Sequence, residues 1–272
     1  MEGSEGDVER GVELKTIQKR YFGPKYDEWM NGYLSLLDQE FVHECARTHH
    51  SAAWQIAKNG GGQVVELAVG SGRNIEAGYY YHPNLQVLGL DITRGMLEEA
   101  KRKVNKLQYE NVQLQLGDAR DALSYVGRGK ADLAVMTYGL CVTPQPEIVL
   151  ENMLELTKPG GLILIADYLL AKRPKIQQEQ YGMKGPIKTG GMRFYDQSSK
   201  ERAPKGEAVI PYKESIMLMG ADREGHSIVW DPTSSLRELL SDVFGGRVQP
   251  LKLVESEEDK VQSNMLYLGR KL

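Results

Sequence analysis

From Val64 onward, apolar runs the length of a β-strand alternate with amphipathic helical patterns, and that alternation limits what the chain can fold into. The runs are Val64–Leu67, Leu85–Asp91, Val112–Gly117, Ala131–Thr137 and Leu162–Asp167. Between them Met96, Leu97, Ala100, Val104 and Leu107 recur at helical spacing, with Glu98/Arg102 and Glu99/Lys103 as i,i+4 pairs on the outer side. Pro146–Leu156 reads as another helix, stopped by Lys158-Pro159-Gly160-Gly161, and a short helix is expected near Asn74–Tyr80. Strands with helices between them make βαβ units, hence a mostly parallel, doubly wound sheet with helices on both faces.

The two ends depart from this rhythm. Residues 1–15 are acidic and Gly-rich and read as a disordered tail. Tyr26, Trp29, Met30, Tyr33, Leu34, Leu37, Phe41 and Cys45 then recur at intervals of three and four, so residues 16–60 read as an N-terminal helix or helix pair. At the other end Ser234–Phe244 is helical and stopped by Gly245-Gly246, and Val248–Val254 and Asn264–Leu272 are two further strands. The acidic link Glu255–Lys260 is too short for a crossover helix, so this pair should be antiparallel. The expected fold is α/β: a seven-stranded, mostly parallel sheet with an antiparallel C-terminal strand, in a single domain over residues 16–272.

Residues 168–233 interrupt the pattern after the fifth strand. Connections beyond about 12–15 residues inside a compact domain usually carry function or structure of their own. This one reads as a cap over the substrate. Glu207–Met219 and His226–Trp230 flank the turn signal Gly220–Gly225 as an expected β-hairpin, and Gly182–Gly191 reads as mobile.

Bulk properties exclude some function classes. The formal net charge is −3 with Lys and Arg dispersed, so no nucleic-acid partner is expected. The longest apolar runs are strand-sized, so no transmembrane segment is expected, and the N-terminus has neither secretory nor transit-peptide character. Cys45 and Cys141 lie far apart without a partner motif, as in a reducing compartment, so a cytoplasmic setting is expected. His43, His82 and His226 lack metal-ligand spacing, and no metal is expected. No feature specifies an oligomeric state.

The loop after the first strand reads Glu66-Leu67-Ala68-Val69-Gly70-Ser71-Gly72-Arg73-Asn74. Glycines between a strand and a helix let the backbone approach a ligand with no Cβ in the way. Asp91, at the end of the second strand, is placed to accept hydrogen bonds from ribose hydroxyls. A ribose alone leaves NAD and S-adenosylmethionine equally served. Ile75 stands where the dinucleotide fingerprint places its third glycine. Glu66 opposes a pyrophosphate but suits a ligand carrying an ammonium and a sulfonium. Gly117-Asp118-Ala119 supplies an acid for an adenine amino group. These three features favour S-adenosylmethionine.

Four segments together resemble a known family: Val64–Asn74, Val87–Ala100, Gly117-Asp118-Ala119 and Leu156–Gly161. They are similar to the class I S-adenosylmethionine-dependent methyltransferases, and to the UbiE-type small-molecule group among them. Tyr26-Asp27 resembles the Tyr-Asp of that group's N-terminal helix, and Ala68 replaces the usual first glycine of the loop. The resemblance implies a Rossmann-like fold and methyl transfer to a small-molecule acceptor, releasing S-adenosylhomocysteine. It implies that Glu66, Ala68, Gly70, Gly72 and Asn74 surround the methionine end, with Tyr26 closing over it. Asp91 and Ile92 then lie at the ribose, Met96 against adenine, Asp118 and Ala119 at its polar edge, and Thr137 toward the sulfonium.

A general base is needed if the acceptor must lose a proton near neutral pH. Asp167, ending the fifth strand at the ligand edge of the sheet, is the first candidate; Tyr168 and His226, with Tyr195, come from the cap. Tyr21, Tyr26 and Trp29 either close the pocket or pack in the core. Thr137-Tyr138-Gly139-Leu140 has neither the carboxylates of a metal-dependent catechol mechanism nor the Asn/Asp-Pro-Pro-aromatic signature of nucleic-acid amino methylation. Tyr79-Tyr80-Tyr81 reads as helix-end packing and His49-His50 as surface or capping residues. The binding motifs leave open an S-adenosylmethionine-binding protein that transfers no methyl group, a pericyclase or a pseudo-enzyme. An NAD(P)-dependent oxidoreductase and a macromolecule methyltransferase are the further alternatives.

Overall fold

The computed structural model describes residues 26–27, 30–31, 34–35, 37–140, 143, 145–168, 187–189, 192–194, 236–256 and 264–272. Tyr26–Asp27 and Met30–Asn31 are helical and stand apart from helix α1 (Gln39–Lys58), so the N-terminal pattern is a pair. Asp38 starts α1 by accepting a hydrogen bond from the Glu40 amide, the ordinary N-cap of a free first turn. Strand β1 (Gly62–Leu67), helix α2 (Arg73–Glu76), β2 (Leu85–Asp91), α3 (Arg94–Leu107) and β3 (Val112–Leu116) follow. A 3₁₀ turn (Ala119–Asp121) and α4 (Ala122–Val126) precede β4 (Ala131–Thr137), α5 (Pro146–Leu156) and β5 (Thr157–Tyr168). After β6 (Ile187–Thr189) and β7 (Met192–Phe194) come α6 (Leu236–Phe244), β8 (Val248–Glu255) and β9 (Asn264–Lys271).

Seven strands make one sheet in the order β3-β2-β1-β4-β5-β9-β8. β1 to β5 are parallel, and β9 runs antiparallel to both β5 and β8. The strand order reverses between β1 and β4, which opens a crevice at their carboxyl ends, the usual ligand position in such sheets. Alternate residues build two cores. Val64, Leu133, Val135, Leu162 and Leu164 face α1, whereas Val65, Ala134, Met136, Ile163 and Ile165 face α5 and α6.

Several expectations need correction. Helix α2 ends at Glu76 rather than Tyr80, because the chain turns at Gly78 with φ +81°. Lys158–Gly161 lies inside β5: Ala131 pairs with Thr157 and Leu133 with Leu162, so four residues bulge opposite one. Lys103 is not on an exposed face. It is buried against Asp27 and Glu76, while Glu99 pairs with Arg102. The turn and helix over Ala119–Val126 have too few apolar repeats to stand out in the sequence. Within residues 168–233, Ile187 pairs with Phe194 and Thr189 with Met192, a hairpin across part of the stretch read as mobile. The tail and the hairpin expected within 207–230 lie outside the described residues.

Candidate functional site

The loop from β1 to α2 turns through three residues in the left-handed region: Ala68 (φ +54°), Gly70 (φ +57°) and Gly72 (φ +76°). Ala68 keeps the backbone shape of a glycine position at the cost of a strained Cβ, about 1–2 kcal/mol. The two glycines do different work. A Cβ on Gly70 would have nothing nearer than 3.9 Å and would project into open space. A Cβ on Gly72 would sit 3.0 Å from the Ala100 side chain, so Gly72 admits α3 against the loop and lines neither cavity.

Two cavities meet over this loop. Both are lined by Tyr26, Ala68, Gly70, Thr137 and Tyr138, so they form one groove over the carboxyl ends of the central strands. The outer one, about 80 Å³, has Asp91, Ile92, Met96, Asp118 and Ala119 in its wall. Asp91 is buried, and its carboxylate accepts the Gly70 and Thr93 amides, each at 2.8 Å. Burial raises its pKa against the pull of those hydrogen bonds. Asp118 caps the 3₁₀ turn and holds the Arg120 guanidinium at 2.8 Å, both side chains being largely buried.

The inner cavity, about 150 Å³, lies on the α1 face, where Glu66 and Asn74 line it beside Arg73, Tyr79 and His49. Glu66 shares the face of Val64, and Thr137 that of Val135 one strand away, so both point toward α1. Asn74 bridges them, donating to Glu66 Oε1 at 2.7 Å and to Thr137 Oγ1 at 3.0 Å. The fully buried Tyr80 hydroxyl donates to Glu66 Oε2 at 2.7 Å and lies 2.8 Å from His49 Nε2. Burial pushes the Glu66 carboxyl up to about 7 and the His49 imidazole down to about 3. Tyr26 lines both cavities. Its neighbour Asp27 is tied to Ser71 in the loop and to Lys103 on α3.

Of the candidate bases only Asp167 has a described side chain, and it does not face the inner cavity. Asp167 follows Ala166, whose side chain lines the inner cavity, so strand alternation turns Asp167 to the other face. There its Oδ2 accepts the Leu140 amide at 2.8 Å and fastens the chain after β4. Tyr168 ends β5, and its side chain, like His226, Tyr195, Tyr21 and Trp29, lies outside the described residues. His49 is neither a surface nor a capping residue. It is buried mid-helix against Tyr79 and Tyr80, and only His50 of the pair is exposed. The signal was available: the apolar spacing continues from Phe41 and Cys45 through Ala52, Ala53 and Ala57, which places His49 on the inner stripe. Tyr80 is likewise more than helix-end packing.

Residues 58–202, more than half of the chain, match the family described as a methyltransferase domain. The chain belongs to that family. A demethylmenaquinone methyltransferase of Renibacterium salmoninarum is 32% identical over 108 residues, covering 40% of this chain and 42% of the relative. A phosphatidylethanolamine N-methyltransferase of Cereibacter sphaeroides is 31% identical over 109 residues, covering 40% and 51%. This methyltransferase-domain chain thus spans about half or less of the length of these relatives. A crystal structure of a SAM-dependent methyltransferase from Aquifex aeolicus superposes with a TM-score of 0.51 at 15% identity, covering 96% of this chain and 98% of that one, a likeness of fold. Among the described residues no helix is long and apolar enough to cross a membrane, and no cluster of three His, Cys, Asp or Glu is placed to hold a metal.

Proposed function

We propose that this chain transfers the methyl group of S-adenosylmethionine to a small-molecule acceptor and releases S-adenosylhomocysteine. The observation that carries this reading is the continuous groove, in which Gly70 presents a bare backbone to both cavities and acids stand at both ends. The groove fits S-adenosylmethionine better than a dinucleotide. Helix α2 is only four residues long and offers little dipole to a pyrophosphate, and Glu66 would repel one. In this assignment Asp91, with Ile92 beside it, receives the ribose hydroxyls, and Met96, Asp118 and Ala119 take the adenine. Glu66, Ala68, Gly70, Asn74 and Thr137 take the methionine end, and Tyr26 covers it.

When bound, S-adenosylmethionine supplies a methyl group already activated on a sulfonium. The protein's share is then alignment and exclusion of water, and orientation alone is worth about 7–11 kcal/mol. Tyr26, Tyr138 and Tyr79 wall the groove, while Leu34, Val42 and Leu164 give its inner end an apolar lining suited to an uncharged acceptor. A cytoplasmic setting and the absence of a nucleic-acid partner belong to the same proposal, resting on dispersed charge and on the free, unreactive Cys45 thiol, which burial pushes up to about 12.

Calorimetry with S-adenosylmethionine, S-adenosylhomocysteine and NADH tests the reading. Binding of the first two and not the third is expected; NADH binding alone would overturn it. Methyl-labelled S-adenosylmethionine incubated with a metabolite extract should then give a labelled small product, and binding without any transfer would favour a pericyclase or pseudo-enzyme.

A further inference from the structure

The polar chain behind the inner cavity has a direction. An ionised carboxylate only accepts hydrogen bonds, so Tyr80 must donate its single hydroxyl proton to Glu66 Oε2. Tyr80 can then only accept from His49, which fixes the hydrogen on Nε2 and leaves Nδ1 with a lone pair. Among the described residues that Nδ1 has no hydrogen-bonding partner, although the side chain is 2% exposed and lines the cavity. A buried unsatisfied polar atom in a native structure calls for an explanation.

We propose that His49, Tyr80 and Glu66 form a proton relay, in which His49 Nδ1 takes the proton of the methyl acceptor and Glu66 Oε2 keeps it. The inference rests on the methyltransferase reading for its chemistry. The acceptor's bond to hydrogen breaks as the Nδ1–H bond forms, and the electron pair stays on the acceptor atom as the nucleophile. The Nε2 proton passes to the Tyr80 oxygen, and the original Tyr80 proton passes to Glu66 Oε2. The imidazole ends neutral as the Nδ1–H tautomer, and every hydrogen bond of the chain survives with its direction reversed. Asn74 still donates to Glu66 Oε1, which remains an acceptor when Oε2 is protonated.

The surroundings favour a relay over storage on the imidazole. His49 is enclosed by Tyr79 and Tyr80, with His50 beside it and the half-buried Cys45 thiol one turn before, and its pKa near 3 makes a lasting imidazolium unfavourable. Glu66 faces Tyr80 and Asn74, and the Asp91 carboxylate ends the neighbouring strand β2; burial first and then Asp91 hold its pKa near 7, where it can release and regain a proton. Arg73 lines the cavity beside Tyr79, but its guanidinium is engaged by the Asp27 carbonyl and by Asn31. Over the whole reaction a cationic reactant becomes a neutral product, so a proton kept on Glu66 leaves the net charge of the site unchanged.

The test reads the tautomer and needs no acceptor. Protein labelled with ¹⁵N-histidine is followed by long-range ¹H–¹⁵N correlation from about pH 5 to about pH 9, with His49 assigned by its loss in His49→Gln. His49 should be the Nε2–H tautomer at high pH and the Nδ1–H tautomer at low pH, with a midpoint near 7. The tautomer ratio should change about tenfold per pH unit away from the midpoint. Tyr80→Phe should abolish the swap, and Glu66→Gln should leave one tautomer at every pH. A wild-type His49 that keeps one tautomer throughout, or a swap that persists in either variant, would overturn the relay. Calorimetry on the same samples separates the two ideas. Failure to bind S-adenosylmethionine would overturn the methyltransferase reading, and retained binding with a fixed tautomer would overturn the relay alone.

Discussion

The two ends of the groove are both lined by buried acids, yet those acids are held in opposite ways. At the outer end Asp91 and Asp118 are satisfied by groups two residues on, the Thr93 and Arg120 amides, with Gly70 completing Asp91. These are turn-forming habits of an aspartate that any strand end can supply. At the inner end Glu66 is satisfied by Asn74 and Tyr80, 8 and 14 residues away, and Tyr80 by His49, 31 residues away. Each partner there is a side chain with a proton to give. The outer end is held by short-range contacts beside the ligand groove; the inner end is a chain of side chains able to exchange hydrogen-bond direction.

The largest expected effect falls at the outer end. Asp91→Ala removes an acceptor for two backbone amides and, in the proposed pose, for the ribose. Hydrogen bonds to charged groups are worth about 1.5–3 kcal/mol each, so S-adenosylmethionine should bind at least about 100-fold more weakly by calorimetry. The His49 tautomer midpoint should move down and the swap should persist, because the Asp91 carboxylate adds to the burial that holds the Glu66 pKa up. A loss under about tenfold would move the ribose elsewhere in the groove and break the contrast between the ends.

The next effect lies at the inner end and has a sign. Folding raises the Glu66 pKa from 4.5 to about 7, so the folded chain binds the extra proton between those values and stability falls as pH rises through them. Folding lowers the His49 pKa from 6.5 to about 3, so the unfolded chain binds the extra proton and stability falls as pH drops from 6.5 toward 3. Between 4.5 and 6.5 the two oppose each other. Glu66→Gln removes one, and urea melts of that variant should show roughly 2–3 kcal/mol lost from pH 6.5 to 4.5 where the parent changes little. Parallel profiles for parent and variant would mean that the inner end does not titrate with folding.

This contrast also explains what the sequence revealed. The strands themselves and the outer acids were legible because apolar periodicity and short-range turn chemistry act over a few residues. Glu66 was legible as part of a motif, but its partners were not, since Tyr80 and His49 are brought to it by tertiary packing of α1 on the sheet. Asp167 shows the opposite error. Its place at the end of β5 was read correctly, but whether a strand residue faces one side or the other turns on a single step of register.

The loop between the ends separates packing from binding. Gly72→Ala should cost about 2–3 kcal/mol in denaturant melts, because a Cβ at φ +76° would be both strained and pressed against Ala100. Folded Gly72→Ala should still bind S-adenosylmethionine nearly as the parent does. Gly70→Ala should do the reverse: about 1 kcal/mol of stability, for strain alone, but a clear loss of affinity from a methyl group in the groove. Equal stability costs for the two would refute the division of labour.

The smallest effect is expected at Ala68, which lines both cavities and so belongs to neither end alone. Its φ of +54° is one that glycine adopts without strain, and the relief on Ala68→Gly is about 1–2 kcal/mol. The freer unfolded chain of a glycine takes back about 0.4–1 kcal/mol of that. The net should be a stabilisation of about 0.5 kcal/mol, visible as a small rise in denaturant midpoint with an unchanged slope. The loop's backbone shape is already that of a glycine, so ligand affinity should shift by less than about threefold, under 1 kcal/mol, and the His49 midpoint not at all. A destabilised Ala68→Gly would show that the methyl group, wedged where the cavities meet, contributes more packing than its strained backbone costs.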